Sequence, residues 1–216
     1  MSDAALLEPL AVTDAAGFAA ETGATSGQLA DLERYRALLA EWNDRMSLVS
    51  AASLADFWGR HAFDSAQLLP LAPKARTWVD IGAGAGFPGL VLAILLKGGA
   101  GARVHLVESQ AKKCRFLGAV AEALDLPAEV HNARAEQLAI KADVVAARAV
   151  APLGRLLEFA RPYLAQGVTG LFLKGQGAEA EVAAARQRWR FQCEIVPSRS
   201  DPTGRILKVE RLARVR

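Results

Sequence analysis

The stretch from Val79 to Gly89, VDIGAGAGFPG, constrains this chain more than any other part of the sequence. It lies between a run typical of a β-strand, TWVDI, and an apolar run typical of a buried helix, PGLVLAILLK. Gly82, Gly84 and Gly86 alternate along the intervening turn, and the absence of a Cβ atom lets backbone approach a ligand closely. Free amides at the start of the helix favour an anionic group. The stretch therefore predicts a strand, a ligand-binding turn and a helix in succession.

Two ligand classes fit this turn. Gly84, Gly86 and Gly89 match the dinucleotide fingerprint GxGxxG, which indicates an NAD-dependent dehydrogenase. Asp80 precedes the glycines at two-residue steps, and this D-x-G-x-G-x-G pattern resembles motif I of class I methyltransferases. The resemblance implies S-adenosylmethionine, which carries cations where a dinucleotide carries pyrophosphate. Because an acid at the end of the strand favours a cationic ligand, we expect Asp80, Gly82, Gly84 and Gly86 to bind this cofactor.

The region from Arg76 onward alternates short β-rich runs with helical stretches, which predicts a mostly parallel sheet with helices on both faces. A further helix is predicted over residues 178–188. Two β-like runs, WRFQCEIV and RILKVERL, flank the turn formers of Pro197–Gly204 and predict a C-terminal antiparallel hairpin. These patterns predict an α/β fold with a mostly parallel seven-stranded sheet, and the resemblance to motif I implies that it is Rossmann-like, of the class I methyltransferase type.

The region before about Pro73 has helical periodicity instead. One apolar stripe predicts a first helix, and a second stripe predicts another, with Ser53 as its N-cap and Pro70 shortly past its end. We therefore divide the chain into an N-terminal helical extension, residues 1–74, and a core, residues 75–216. The stripes comprise Leu29, Leu32, Tyr35, Leu38, Leu39 and Trp42, then Leu54, Phe57, Trp58, Ala62, Ala66 and Leu69.

Composition and cysteine usage limit the class of protein. The net charge of +3 permits contact with an acidic polymer but does not require it. Cys114 and Cys193 form neither a CxxC motif nor a Cys/His ligand spacing, so we expect a reducing compartment and no metal site. The N-terminus lacks the basic region of a secretory signal, and the apolar run Leu90–Leu96 is too short to span a bilayer. These features predict a cytoplasmic protein without a membrane partner.

Acidic residues follow the next two strands. Glu108 closes the strand VHLVE, 26 residues beyond Gly82, where a carboxylate can accept both ribose hydroxyls of an adenosine. The alternative is a solvated charge at a strand end. After the third strand, the backbone of Ala135 and the side chain of Glu136 are placed to face an adenine ring. The alternative for Glu136 is an acid favoured by the start of a helix.

The acceptor side is expected where the fourth and fifth strands end, at Arg148 and Lys174. Both are placed to meet an incoming nucleotide, and the alternative for each is an ordinary cation at the rim. If the acceptor is a guanine that reacts at N7, an arginine that contacts this base must bind O6 or a phosphate, because N7 has to stay free. His61 and Asp64 lie on the N-terminal helical segment with no third partner identifiable, so we interpret them as a hydrogen-bonded pair near a domain junction.

No acid/base dyad is evident on this side. The run after Arg148, AVAPL, lacks the Asn/Asp-Pro-Pro-aromatic motif of enzymes that methylate exocyclic amines, and neither cysteine lies on an acceptor loop. Guanine N7 attacks a methyl group without first losing a proton. Alignment alone can remove on the order of 7 to 11 kcal/mol from such a bimolecular barrier. The absence of an acid/base dyad is therefore consistent with a ring nitrogen as the acceptor.

Nearly the whole chain resembles the bacterial 16S rRNA guanine-N7 methyltransferase family, also called the glucose-inhibited division protein B family. The motifs stand in the order WNDRMSLVS, HAFDSAQLLPL, VDIGAGAGFPGLVLAI, HLVESQAKKCRFL, NARAE, AARAVAPL and LFLKGQ. The resemblance implies a cytosolic enzyme acting on a guanine of the small ribosomal subunit, and a monomer is our default. It places cofactor contacts on Gly82, Phe87, Ala135, Glu136 and Arg148, the ribose contact on Glu108, and Arg134 and Lys174 in the site.

One departure from the family pattern is the short connection between NARAE and AARA, which leaves a tight loop on the adenine side. Three alternatives remain open on the sequence alone. They are a methyltransferase acting on another RNA or a small molecule, an NAD-dependent oxidoreductase, and a module that binds a nucleotide without chemistry.

Overall fold

A computed structural model describes residues 11–138 and 140–215. Its centre is a seven-stranded sheet in the order β3-β2-β1-β4-β5-β7-β6. The first five strands are parallel, and β7 runs antiparallel between β5 and β6, which confirms the predicted sheet and hairpin. The strands are β1 (Thr77–Ile81), β2 (Arg103–Glu108), β3 (Ala128–Asn132), β4 (Val144–Arg148), β5 (Thr169–Lys174), β6 (Trp189–Pro197) and β7 (Arg205–Arg214).

Helices cover both faces of the sheet. One face packs against α5 (Gly89–Leu96), α6 (Ala111–Ala123) and the N-terminal helices, and the other packs against α7 (Leu153–Leu164) and α8 (Ala178–Ala185). Helix α8 ends three residues before Arg188, because residues 186–188 form a turn that leads into β6. Within the described ranges, no helix combines the length and the apolar composition that crossing a membrane requires.

The N-terminal segment contains α1 (Ala15–Thr22), α2 (Ser26–Met46), α3 (Ala51–Ala55), a π-helix (Phe57–Phe63), α4 (Asp64–Ala66) and a 3-10 turn (Leu69–Leu71). Helix α2 contains the first predicted stripe and begins with a capping box of Thr25 and Gln28. The second prediction was wrong in detail. The N-cap is Ser50, whose hydroxyl accepts the Ser53 amide, and the stripe is divided among α3, the π-helix, α4 and the 3-10 turn.

The N-terminal helices pack on α5 and α6. The rings of Trp42 and Phe116 lie 5.7 Å apart, and the Asp31 carboxylate pairs with the Lys97 ammonium at 3.0 Å. One apolar cluster joins these helices to the sheet. The division of the chain at residues 74 and 75 stays a prediction, and residues 1–10 of the predicted extension lie outside the described residues.

Candidate functional site

The order of the strands defines a crevice between β1 and β4. Strands β2 and β3 follow β1 toward one edge of the sheet, and β4 and β5 lie toward the other edge. The order of the strands therefore reverses between β1 and β4. Ligands of open α/β sheets bind outside the carboxyl ends of the strands at such a point. The loops that meet there are residues 82–88 after β1 and residues 149–152 after β4.

The glycine loop, residues 82–88, packs against the N-terminal helices and the loop after β4. Gly82 has a φ of 69°, and a Cβ atom there would lie 2.7 Å from Val150 Cγ2. A Cβ atom on Gly86 would lie 2.7 Å from the Tyr35 hydroxyl, which donates to the Ala85 carbonyl at 2.5 Å. At Gly84 the nearest atom to a Cβ would be a backbone oxygen at 3.6 Å. Gly82 and Gly86 are therefore required for packing, whereas Gly84 stays open to the crevice.

Asp80 lies under this loop and is buried. It is the penultimate residue of β1, which ends at Ile81 as the run TWVDI predicts. One carboxylate oxygen accepts the Gly89 amide at 2.9 Å, and the other has no hydrogen-bond partner within the described structure. Burial raises the pKa of Asp80 to about 7, against the opposing effects of the Gly89 amide and Arg148. The unpartnered oxygen suits a cationic ligand group.

A small pocket of about 120 Å³ lies beside the loop, at the carboxyl ends of β1 and β2. Glu108 forms one wall, and its carboxylate accepts the Gly84 amide at 3.1 Å and the Gln110 amide at 2.8 Å. The opposite wall comes from the segment after β3, with Ala135 on a 3-10 turn (Ala135–Gln137). The structure thus brings together the predicted cofactor residues Gly82, Glu108, Ala135 and Glu136, and Arg134 with them.

A larger cleft of about 780 Å³ opens on the other side of the loop after β4. Its walls come from the N-terminal helical segment, the ends of β4 and β5 and the turn between β6 and β7. Arg148 and Lys174 both line it, as predicted for the acceptor side. Val150 borders the cleft and the small pocket alike, so the two cavities meet at this residue.

Arg148 makes several hydrogen bonds across the cleft. Its guanidinium donates to the Arg60 carbonyl at 2.7 Å, to His61 Nδ1 at 2.7 Å and to the Asp64 carboxylate at 3.3 Å. It also lies 4.9 Å from the centre of the Phe87 ring. His61 and Asp64 are thus joined through Arg148, and the described contacts include no hydrogen bond between them, so their prediction as a hydrogen-bonded pair was wrong. Arg148 is the third partner that the sequence did not reveal. That partner lies 84 residues beyond Asp64, a distance over which spacing carries no signal.

Burial sets the charge states around Arg148. It lowers the pKa of His61 to about 3, with Arg148 and Arg60 acting in the same direction, so the imidazole is neutral and Nδ1 accepts from Arg148. Burial also raises the pKa of Asp64, and Arg148 and the Ser200 hydroxyl oppose this shift. Ser200 donates to Asp64 at 2.9 Å, which connects the turn of the hairpin to the cleft. Sequence analysis did not identify Ser200.

Phe87 and Lys174 are less accessible than predicted. The Phe87 ring is buried and stacks on His61, with ring centres 4.2 Å apart. The Lys174 ammonium donates to the Ala151 carbonyl at 2.6 Å and to the Glu181 carboxylate at 2.7 Å. Lys174 therefore anchors the loop after β4 to β5 and α8 instead of presenting a free charge. A cofactor contact of Phe87 and a nucleotide contact of Lys174 stay predictions.

Gly82→Ala should destabilise the fold in two ways. The positive φ costs about 1 to 2 kcal/mol for an alanine, and overpacking against Val150 adds about 1 to 3 kcal/mol. Gly98→Ala is the matched control, because Gly98 has a φ of 81° and a Cβ atom there would have no described atom within 4 Å. Urea denaturation should show a larger loss of unfolding free energy for Gly82→Ala than for Gly98→Ala. When Val150 is also replaced by alanine, the two glycine variants should lose similar amounts. Equal losses for the two glycines would contradict the packing role.

Comparison with solved structures identifies the class of fold. An O-methyltransferase from Bacillus cereus, solved in complex with SAH, superposes with a TM-score of 0.54 at 16% identity, covering 84% of this chain and 91% of that one. At this identity the similarity shows the fold alone. The architecture is that of a Rossmann-like class I methyltransferase.

Sequence relatives narrow the assignment. The family described as rRNA small subunit methyltransferase G matches residues 28–201. The protein named ribosomal RNA small subunit methyltransferase G from Caulobacter vibrioides (strain NA1000 / CB15N) is 61% identical over 97% of each chain. The protein of the same name from Parvibaculum lavamentivorans is 48% identical over 93% of this chain and 91% of its own. The chain belongs to the rRNA small subunit methyltransferase G family.

Proposed function

We propose that this protein transfers a methyl group from S-adenosylmethionine to N7 of a guanine in 16S rRNA of the small ribosomal subunit. The observation that carries the proposal is the meeting of two cavities at Val150, one lined by the predicted cofactor residues and the other by Arg148. Membership of an rRNA methyltransferase family supports the substrate class. The same membership supports a cytoplasmic location, and we propose a monomer as the active form.

The residues of the small pocket, together with Asp80 of β1 and Gly84 of the adjoining glycine loop, fit the cofactor. The unpartnered oxygen of Asp80 is placed for a cationic group, and the open side of Gly84 leaves room for close approach. Glu108 would accept the ribose hydroxyls, and Ala135 with Glu136 would face the adenine. The pocket is smaller than the roughly 300 Å³ at which ligand sites begin. Binding therefore requires the pocket to widen, and we propose that the ribose then replaces the Gly84 amide on Glu108.

The charge balance of the cleft suits a base rather than a phosphate. Arg148 and Lys174 are each paired with a carboxylate, from Asp64 and Glu181, and the carboxylates of Asp56 and Asp201 also line the wall. Arg60 lines the same wall, so four carboxylates face three cations among the described residues. An uncharged purine is compatible with this environment, whereas a phosphate would face an excess of acid. We infer that the RNA backbone stays outside and that the base enters unstacked.

The chemistry requires alignment and no proton acceptor. Held by Glu108 and the other residues of the small pocket, S-adenosylmethionine would supply the methyl group to N7, and the electrons of the broken carbon–sulfur bond would stay on sulfur. Positive charge then moves onto the purine, and Asp56 and Asp201 lie where they would stabilise it. His61 is neutral and its Nδ1 is occupied by Arg148, so it serves to position the guanidinium.

The deciding experiment is transfer of a labelled methyl group to small subunits, and to naked 16S rRNA, from cells lacking this modification. Cleavage chemistry specific for 7-methylguanine should then break the RNA at one guanine. Subunits from parental cells that carry the modification are the control and should accept no label. Label without a break at guanine would exclude N7, and turnover of a small molecule without RNA would favour the nearest alternative. Calorimetry should also show binding of S-adenosylmethionine and none of NAD, and the reverse would favour an oxidoreductase.

A further inference from the structure

Two histidines and a glutamate converge on β2 and β3, outside the site described above. Side chains alternate between the two faces of a strand, so His105 points away from its neighbours Val104 and Leu106, which pack with α5 and α6. His105 pairs with Glu129 across the parallel ladder, and His131 follows two residues later on the same face of β3. The fold thereby brings together residues that lie 24 and 26 positions apart in sequence.

The separations of the ligand atoms are close to those around a tetrahedral ion. His105 Nδ1 and His131 Nε2 are 3.0 Å apart. His105 Nδ1 lies 3.6 Å from Glu129 Oε2 and His131 Nε2 lies 3.7 Å from Glu129 Oε1, and with one oxygen as the ligand all three atoms lie within 4.8 Å of one another. Zinc binds histidine nitrogen and carboxylate oxygen at about 2.0 to 2.2 Å, which separates tetrahedral ligands by roughly 3.3 to 3.6 Å. Small adjustments of the side chains are sufficient to place an ion between them.

We propose that His105, Glu129 and His131 bind a divalent transition-metal ion, zinc in the first place, with water as the fourth ligand. Imidazole ligands select zinc and its neighbours over calcium and magnesium, which prefer oxygen. The ion can enter from solvent, because the Glu129 side chain is 53% exposed.

The ion would clamp the edge strand β3 to β2. Asn132, directly after His131, donates to the Glu108 carbonyl at 3.1 Å, so the clamp lies next to the strand ends that carry the small pocket. The nearest competitor for Glu129 is the Arg103 guanidinium at 3.8 Å, an exposed pair that an ion can displace. The sequence alone predicted no metal site because the three ligands share no local spacing.

Zinc titration of the full chain tests the proposal, after chelator treatment and with Cys114 and Cys193 replaced by serine. The chain has three histidines, so side-chain NMR resolves each ring and His61 serves as the internal control. One equivalent of zinc should shift the His105 and His131 signals, leave His61 unchanged and raise the melting temperature. Binding should be lost in His131→Gln. It should weaken at least about 10-fold in Glu129→Gln, since loss of even an outer-shell partner typically costs that much.

Two results would contradict the proposed metal site. A plain hydrogen bond between the two rings would give no zinc-dependent shift of either signal, which overturns the proposal. Equal zinc affinity in the parent, Glu129→Gln and His131→Gln would place the ion elsewhere and overturn it as well. Circular dichroism checks the fold of each variant, and if His131→Gln is not folded, the exposed Glu129→Gln decides the matter.

Discussion

Arg148→Met is expected to lower kcat/KM for methyl transfer by about 100-fold, the loss typical when aligned reactants are misplaced by about 1 Å. The guanidinium holds His61, Asp64 and the Arg60 carbonyl at once, and methionine of similar length provides none of these hydrogen bonds. Transfer to 16S rRNA measures the effect. Unchanged turnover would show that the acceptor does not bind in this cleft.

Stability has to be separated from turnover in that experiment. Removal of one partner of a buried ion pair costs about 3 to 5 kcal/mol. Here the Arg148 and Asp64 side chains keep 18% and 17% of their exposure, and solvent screening reduces the expected loss to about 1 to 3 kcal/mol. Asp64→Asn in the Arg148→Met background should recover much of the stability and none of the activity. Arg190→Met, at an exposed arginine on β6, controls for loss of charge and should match the parent.

The fold could be predicted largely because its signals are local. Alternation of β-rich and helical runs needs only short windows of sequence, and the dense turn formers between Pro197 and Gly204 are sufficient to indicate the hairpin. The irregular N-terminal segment is different. Phe57, Trp58, His61, Ala62 and Phe63 are all buried, and a stripe of period 3.6 does not reveal that these residues form a π-helix.

The candidate site could be predicted only in part, for a related reason. Gly82, Glu108 and Ala135 follow strands at a common edge of the sheet, so their proximity follows from the parallel order. The partners of Arg148 come from a segment more than 80 residues earlier, and no periodicity links them. His105 and His131 meet through strand register, which a single sequence does not specify. Side-chain pairing across elements is what the structure adds.

Glu108→Gln is expected to weaken binding of S-adenosylhomocysteine about 10- to 150-fold, since a hydrogen bond to a charged group contributes about 1.5 to 3 kcal/mol. In the present structure the carboxylate already accepts the amides of Gly84 and Gln110. Because the ribose would replace the Gly84 amide instead of adding to it, we expect values toward the 10-fold end. Calorimetry measures the dissociation constant, with Glu122→Gln on the exposed side of α6 as the matched control. Equal dissociation constants for the two variants would show that Glu108 does not bind the ribose.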